Sequence, residues 1–209
     1  MKFSTFVALA ALFAATPVWS AGGDAAAGQT KAAVCAACHS VDGNSVDPLY
    51  PKIAGQHAEY SAQQLALFKS GKRMNPIMLG ISATLSEQDM LDVAAYFATQ
   101  KASPALADEA LVAVGQRIYQ SGDAKRGIPA CMACHGPTGT GNPASRYPAL
   151  ASQHAQYTAD MLRRFRGGAV YGDESDANAK IMSQVAVSLT DAEIEALASY
   201  IQGLSSATP

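Results

Sequence analysis

Cys35-Ala36-Ala37-Cys38-His39 and Cys131-Met132-Ala133-Cys134-His135 hold all four cysteines and two of the four histidines of the 209-residue chain. Two thiols three positions apart, followed at once by an imidazole, carry a specific chemistry. On one tight helical turn both sulfurs reach the two vinyl groups of a single porphyrin edge, and the next residue turns its imidazole to the iron. Disulfides, a thioredoxin-like dithiol and a zinc site each account for the cysteine pairs. None accounts for a His directly after both. The reading is covalent haem c, twice, with Cys35, Cys38, Cys131 and Cys134 as attachment points and His39 and His135 as proximal ligands.

Working outward, residues 1–20 read as a secretory signal. Lys2 is their only charge, an apolar stretch runs from Phe6 to Ala15, and Val18-Trp19-Ser20 precedes Ala21 as a cleavage site. The apolar stretch is too short for a permanent membrane span. The remaining 189 residues (209 − 20) carry 14 Lys and Arg against 17 Asp and Glu, a net −3. That balance disfavours sequence-independent nucleic-acid binding. They also hold eight Tyr, three Phe and no Trp among much Ala, which is thin material for a core. Porphyrin faces would supply the missing apolar surface.

An internal repeat assigns one haem to each half. The offset is 96 at the cysteines and 97 along the following segment, where Pro51, Gln56-His57-Ala58, Tyr60, Leu65, Phe68 and Gly71 meet Pro148, Gln153-His154-Ala155, Tyr157, Leu162, Phe165 and Gly168. It is 87 at Gly28-Gln29 and Gly115-Gln116, and 104 at the last helix, so the second half holds 104 − 87 = 17 extra residues. They fall in polar, Gly-bearing stretches at Ser121 to Pro129 and around Gly172 to Ala177. The expected organisation is a signal over 1–20, a first haem domain over 21–101, a linker over 102–108 and a second haem domain over 109–209. Each half reads as three helices. A short one precedes the cysteines, a second spans about Ala58 to Ser70 or Ala155 to Gly167, and a third starts at a capping box, Ser86 with Asp89 or Thr190 with Glu193. No alternating strand pattern is present, so the fold class is all-α.

The sixth iron position separates carrier from enzyme. A thioether there favours ferrous iron, whereas an open position invites ligands or oxygen chemistry. Met78 and Met182 are the only Met pair matched by the repeat, each seven residues before the Leu that precedes the last helix cap. Met74 is a rival to Met78. His57 and His154 are also matched by the repeat and are rival sixth ligands, although a polar residue at a helix entrance is more often a cap or loop contact. The basic clusters Lys69, Lys72, Arg73 and Arg163, Arg164, Arg166 sit where cations complement a helix C-terminus, with propionate pairing or docking as the functional alternative.

These features resemble the di-haem cytochromes c4 of the class I cytochromes c over essentially the whole chain after the signal. The resemblance rests on the start Ala21 to Gly28, both haem motifs, the Pro51 to Gln56 and Pro148 to Gln153 segments, Lys180-Ile181-Met182 and the ending Tyr200 to Leu204. It implies two tandem class I cytochrome c domains, each a small helical fold around one haem, with His39 and Met78 on one iron and His135 and Met182 on the other. It also implies that the carbonyls of Pro51 and Pro148 accept the proximal imidazole N–H. The implied function is electron transfer in the periplasm, with partners among a terminal oxidase, a cytochrome bc1 complex or small electron carriers, and with peripheral membrane association. No catalytic residue, small-molecule substrate or nucleic acid is expected. The alternatives are the haem subunit of a membrane-associated dehydrogenase and a di-haem peroxidase. A peroxidase would need an open iron with a distal acid–base residue.

Overall fold

The computed structural model describes residues 22–173 and 176–205. The signal reading over 1–20 lies outside them, as do residues 174–175 of the second predicted loop. Among the described residues the chain is helical, with no strand and two isolated antiparallel bridges. No helix there is long and apolar enough to cross a membrane.

The first half contains α1 (Ala25–Lys31), α2 (Ala36–His39), α3 (Ala58–Lys69), α4 (Pro76–Ala83) and α5 (Glu87–Ala98). The second repeats them as α6 (Glu109–Ser121), α7 (Met132–His135), α8 (Ala155–Arg166), α9 (Ile181–Ala186) and α10 (Asp191–Gly203). The three-helix reading of each half therefore undercounts. The Met-bearing segments are helical too, and each Cys-x-x-Cys-His motif is a helical turn of its own. Both capping boxes are made: the Ser86 and Thr190 side chains accept from the backbone N–H of Asp89 and Glu193, and their own backbone N–H groups donate to the Asp89 and Glu193 carboxylates.

In each half the first and last helices cross at a glycine. A Cβ on Gly28 would lie 2.0 Å from the Asp92 carbonyl oxygen, and one on Gly115 would lie 2.2 Å from that of Ala196. The matched glycines of the repeat are therefore where two backbones touch. Around the second crossing, Ile118, Tyr119, Ile194, Leu197, Ala198 and Ile201 are buried together. Full burial of a large apolar side chain contributes roughly 1.5–3 kcal/mol. Val93, Tyr96 and Phe97 with Ala32 form the corresponding but smaller cluster of the first half. There Lys31 reinforces the crossing by pairing with Asp89 and with the buried Asp92, both at 2.6 Å, and the Asp24 backbone N–H donates to Asp92 at 2.8 Å.

A 3₁₀ turn at Pro143–Ser145, with Asn142 paired to Tyr147, follows the second Cys-x-x-Cys-His motif. The first stretch of extra residues in the second half closes on itself in the same way, Asp123 pairing with Ile128 across a 3₁₀ turn at Ala124–Arg126. Arg126 then reaches Glu193 at the start of α10, so this excursion is tied to the domain it leaves. The extensive helix packing lies within halves, α1 on α5 and α6 on α10 being the largest contacts. Loop residues, together with side chains of α3 and α8, make the junction between halves.

Candidate haem-binding site

The local sequence explains the placement of each motif. In α2 and α7 the helical turn ends at once, because Ser40 (φ 64°) and Gly136 (φ 77°) leave the helical region. His39 and His135 are thus the last residues of their turns, buried at 7% exposure each. His39 Nδ1 lies 2.9 Å from the Pro51 carbonyl oxygen, and His135 Nδ1 lies 3.0 Å from that of Pro148. A carbonyl accepts only, so Nδ1 carries the proton and Nε2 is left with a lone pair for a metal. Burial lowers the pKa of both imidazoles, against the weaker opposing pull of the Pro carbonyls. The rings are therefore held in the neutral form that ligates iron. Tyr50 and Tyr147 flank them, with ring centroids 6.2 and 6.3 Å away.

The four thiols are half-buried and unpaired. Burial pushes those of Cys35 and Cys131 up to about 11. One continuous cavity of about 710 Å³ is lined by all four cysteines, His39, His135, Met78 and Met182. Its remaining walls include Ile53, Phe68, Ile81 and Phe97 in one half and Leu150, Leu162, Val185 and Leu197 in the other. This donor set fits haem c. Thiols and a singly protonated imidazole open onto an apolar space from one side, and a thioether enters from a different helix.

The rival ligands separate clearly. Met74 is 69% exposed and outside the large cavity, whereas Met78 is half-buried and lines it. Asn75, three residues before Met78, is the N-cap of α4 and accepts from Ile77 N at 3.0 Å and Met78 N at 3.1 Å. Asn followed by Pro at the first helical position is a start signal that the sequence carried and the three-helix reading passed over. Met161 also lines the cavity, but its sulfur lies 3.5 Å from the Arg73 guanidinium. His57 and His154 point elsewhere. His57 Nε2 lies 2.9 Å from the Thr140 carbonyl oxygen, and His154 Nε2 lies 2.8 Å from that of Ser45. Both are contacts to loops of the opposite half.

The basic clusters are largely used inside the molecule. Lys69 donates to the Leu85 carbonyl, and its repeat partner Arg166 donates to the equivalent Leu189 carbonyl at 3.0 Å. Lys72 pairs with Asp173 of the other half at 2.6 Å, and Arg163 pairs with Asp160 and Glu195. Arg73 is the largest departure from a solvated cation. It is 8% exposed, bonded to Gln64 at 2.6 Å and to Tyr157 of the other half at 2.8 Å. Its guanidinium also stands 4.6 Å from the Phe68 ring and 4.9 Å from the Tyr171 ring. As one member of a basic cluster, Arg73 gives no sequence sign of this, because both tyrosines lie some 80 or more positions away.

The sequence profile described as Cytochrome c matches residues 25–101 and 112–205. The chain belongs to the cytochrome c family. Cytochrome c4 of Pseudomonas aeruginosa is 48% identical over 184 residues, covering 88% of this chain and 90% of the relative. The crystal structure of reduced recombinant cytochrome c4 from Pseudomonas stutzeri superposes with a TM-score of 0.81 at 46% identity, covering 87% of this chain and 99% of that one. A thiosulfate dehydrogenase electron acceptor of Stutzerimonas stutzeri is 40% identical over 173 residues, covering 81% of this chain and 78% of the relative. This cytochrome c is thus built of two tandem domains, carries two covalent haem c groups and is an electron carrier that works with redox partners.

Proposed function

We propose that this cytochrome c is a periplasmic carrier in which His39 and Met78 ligate one iron and His135 and Met182 the other. Cys35 and Cys38, and Cys131 and Cys134, form the thioether bonds. The observation that carries this reading is the shared cavity, onto which each half opens two thiols, a buried imidazole held by a Pro carbonyl, and one thioether. Each haem, when bound, supplies a one-electron ferric/ferrous couple. The chain's part is to keep both axial ligands in place in either oxidation state. Pro51 and Pro148 fix the ring orientation of the histidines, and the helices α4 and α9 hold the methionines. The apolar walls limit the water that would otherwise reorganise with each change of charge.

In this reading residues 1–20 are removed on export, and 21–101 and 109–209 form the haem units on either side of the 102–108 linker. Electrons leave towards a terminal oxidase. The likeness to a thiosulfate dehydrogenase electron acceptor favours a second reading of the donor side, in which a dehydrogenase supplies the electrons. The two readings share a mechanism and differ in partner.

A redox titration with a haem count should show two one-electron couples, and the near-infrared band of Met on ferric iron should be present for both haems. Met182→Ala should remove that band from one haem alone, as should Met78→Ala from the other, while Met74→Ala should leave both. An unchanged band in Met182→Ala, or ready carbon monoxide binding at both irons of the native protein, would refute the ligand set.

A further inference from the structure

Two glutamines matched by the repeat cross between the halves and grip the very peptide units that hold the opposite imidazoles. The Pro51 carbonyl accepts from His39 Nδ1 at 2.9 Å. The N–H at the other end of that same peptide bond belongs to Lys52 and donates to Oε1 of Gln153, in the second half, at 2.8 Å. In mirror fashion the Pro148 carbonyl accepts from His135 at 3.0 Å, and Ala149 N–H donates to Oε1 of Gln56, in the first half, at 2.9 Å. Each glutamine closes the clamp with its amide nitrogen, Gln153 Nε2 donating to the Lys52 carbonyl at 2.8 Å and Gln56 Nε2 to the Ala149 carbonyl at 2.9 Å. Each Oε1 also accepts the N–H of the histidine that follows it in sequence, His154 at 3.1 Å and His57 at 3.0 Å. The side chains are therefore locked on both sides.

A peptide unit is a conjugated plane, so a hydrogen bond accepted from its N–H moves negative charge onto its carbonyl oxygen. That oxygen then draws more strongly on the imidazole Nδ1–H. The ring becomes more electron-rich at Nε2, which favours ferric iron. On the reading that His39 and His135 are the proximal ligands, we infer that Gln153 and Gln56 are positioning residues that lower the reduction potential of the haem in the opposite domain. Each domain thus sets part of its neighbour's redox poise through a chain of two hydrogen bonds and one peptide plane. No side chain of one domain needs to touch the iron of the other.

The test is crossed. In the haem-loaded full chain, Gln153→Ala should favour reduction of the His39-bearing haem about threefold, roughly 30 mV at 59 mV per tenfold. It should leave the His135-bearing haem in place, and Gln56→Ala should do the reverse. Paramagnetic proton resonances of each ligand Nδ1–H supply a readout independent of electron-transfer activity. The His39 Nδ1–H should shift and exchange faster in Gln153→Ala, and the His135 Nδ1–H should do so in Gln56→Ala. Gln153→Met preserves side-chain volume and serves if truncation impairs haem maturation. His57→Ala, which breaks a bond across the same junction without touching either Pro carbonyl, should move neither resonance. Equal shifts in both haems, or shifts confined to the mutated domain, would overturn the inference and leave the ligand assignment intact. Failure to find an Nδ1–H resonance at either haem would instead remove the ligand assignment on which it stands.

Discussion

Replacing Gly115 by Ala should destabilise the second domain, although the same substitution inside a helix normally stabilises. The added Cβ would sit 2.2 Å from the Ala196 carbonyl oxygen and 2.6 Å from the Tyr200 Cβ. An ordinary contact begins near 3.4 Å, so α6 and α10 must part by about 1.2 Å at their crossing. The obstacle is backbone, which cannot rotate away as a side-chain tip does. Overpacking of this kind costs about 1–3 kcal/mol, and a rigid obstacle belongs at the upper end. Against it stands the gain in helix propensity from Gly to Ala, about 1 kcal/mol. The net loss is about 2 kcal/mol, or roughly 10 °C in melting temperature for a domain of this size. Thermal unfolding of the haem-loaded protein, followed by circular dichroism, would measure it. Gly80 supplies the control. It lies in the exposed part of α4 with nothing within 4 Å of its added Cβ, so Gly80→Ala should raise stability by up to about 1 kcal/mol. If Gly115→Ala melts at or above the temperature of the parent, the crossing is not the close backbone contact described above.

Acid should loosen the second domain through Glu193. The Arg126 guanidinium holds this carboxyl at about 2, below its usual 4.5. A depressed carboxylate contributes stability that is complete above about 4.5 and lost as pH falls towards about 2. Glu193→Gln should flatten that part of the stability profile at a cost of about 1 kcal/mol near neutral pH, measured by denaturant titration at several pH values. At the first haem, Asn75→Ala should fray the start of α4 by about 1 kcal/mol. The near-infrared Met band of that haem should then disappear at a lower temperature than in the parent, while the band of the other haem keeps its midpoint.

Much of this protein is written in short-range patterns. Cys-x-x-Cys-His acts within one helical turn, and a capping box acts over three residues, so neither needs the rest of the chain to be interpreted. The repeat extends that local reading. By matching Gly28 with Gly115 and Gln56 with Gln153, it marked positions of consequence before their roles were visible. The Met-bearing helix α4 was also legible, in Asn75-Pro76, but its short apolar run lacks the strong periodicity that betrays α5 and α10.

What the sequence by itself determined, then, is the number of haems, the helical class and the twofold construction, because each rests on chemistry between near neighbours in the chain. The tertiary structure alone decided how the two halves meet. Gln153 reaches Lys52 across 101 positions and Gln56 reaches Ala149 across 93, and Arg73 reaches Tyr157 across 84. Polar side chains of this kind leave no periodic trace, since their partners are fixed by the approach of loops rather than by the pitch of a helix. That approach turns Arg73 from an apparent surface cation into a buried link between domains. It also brings each glutamine onto the peptide whose carbonyl holds the other domain's buried imidazole, His39 or His135.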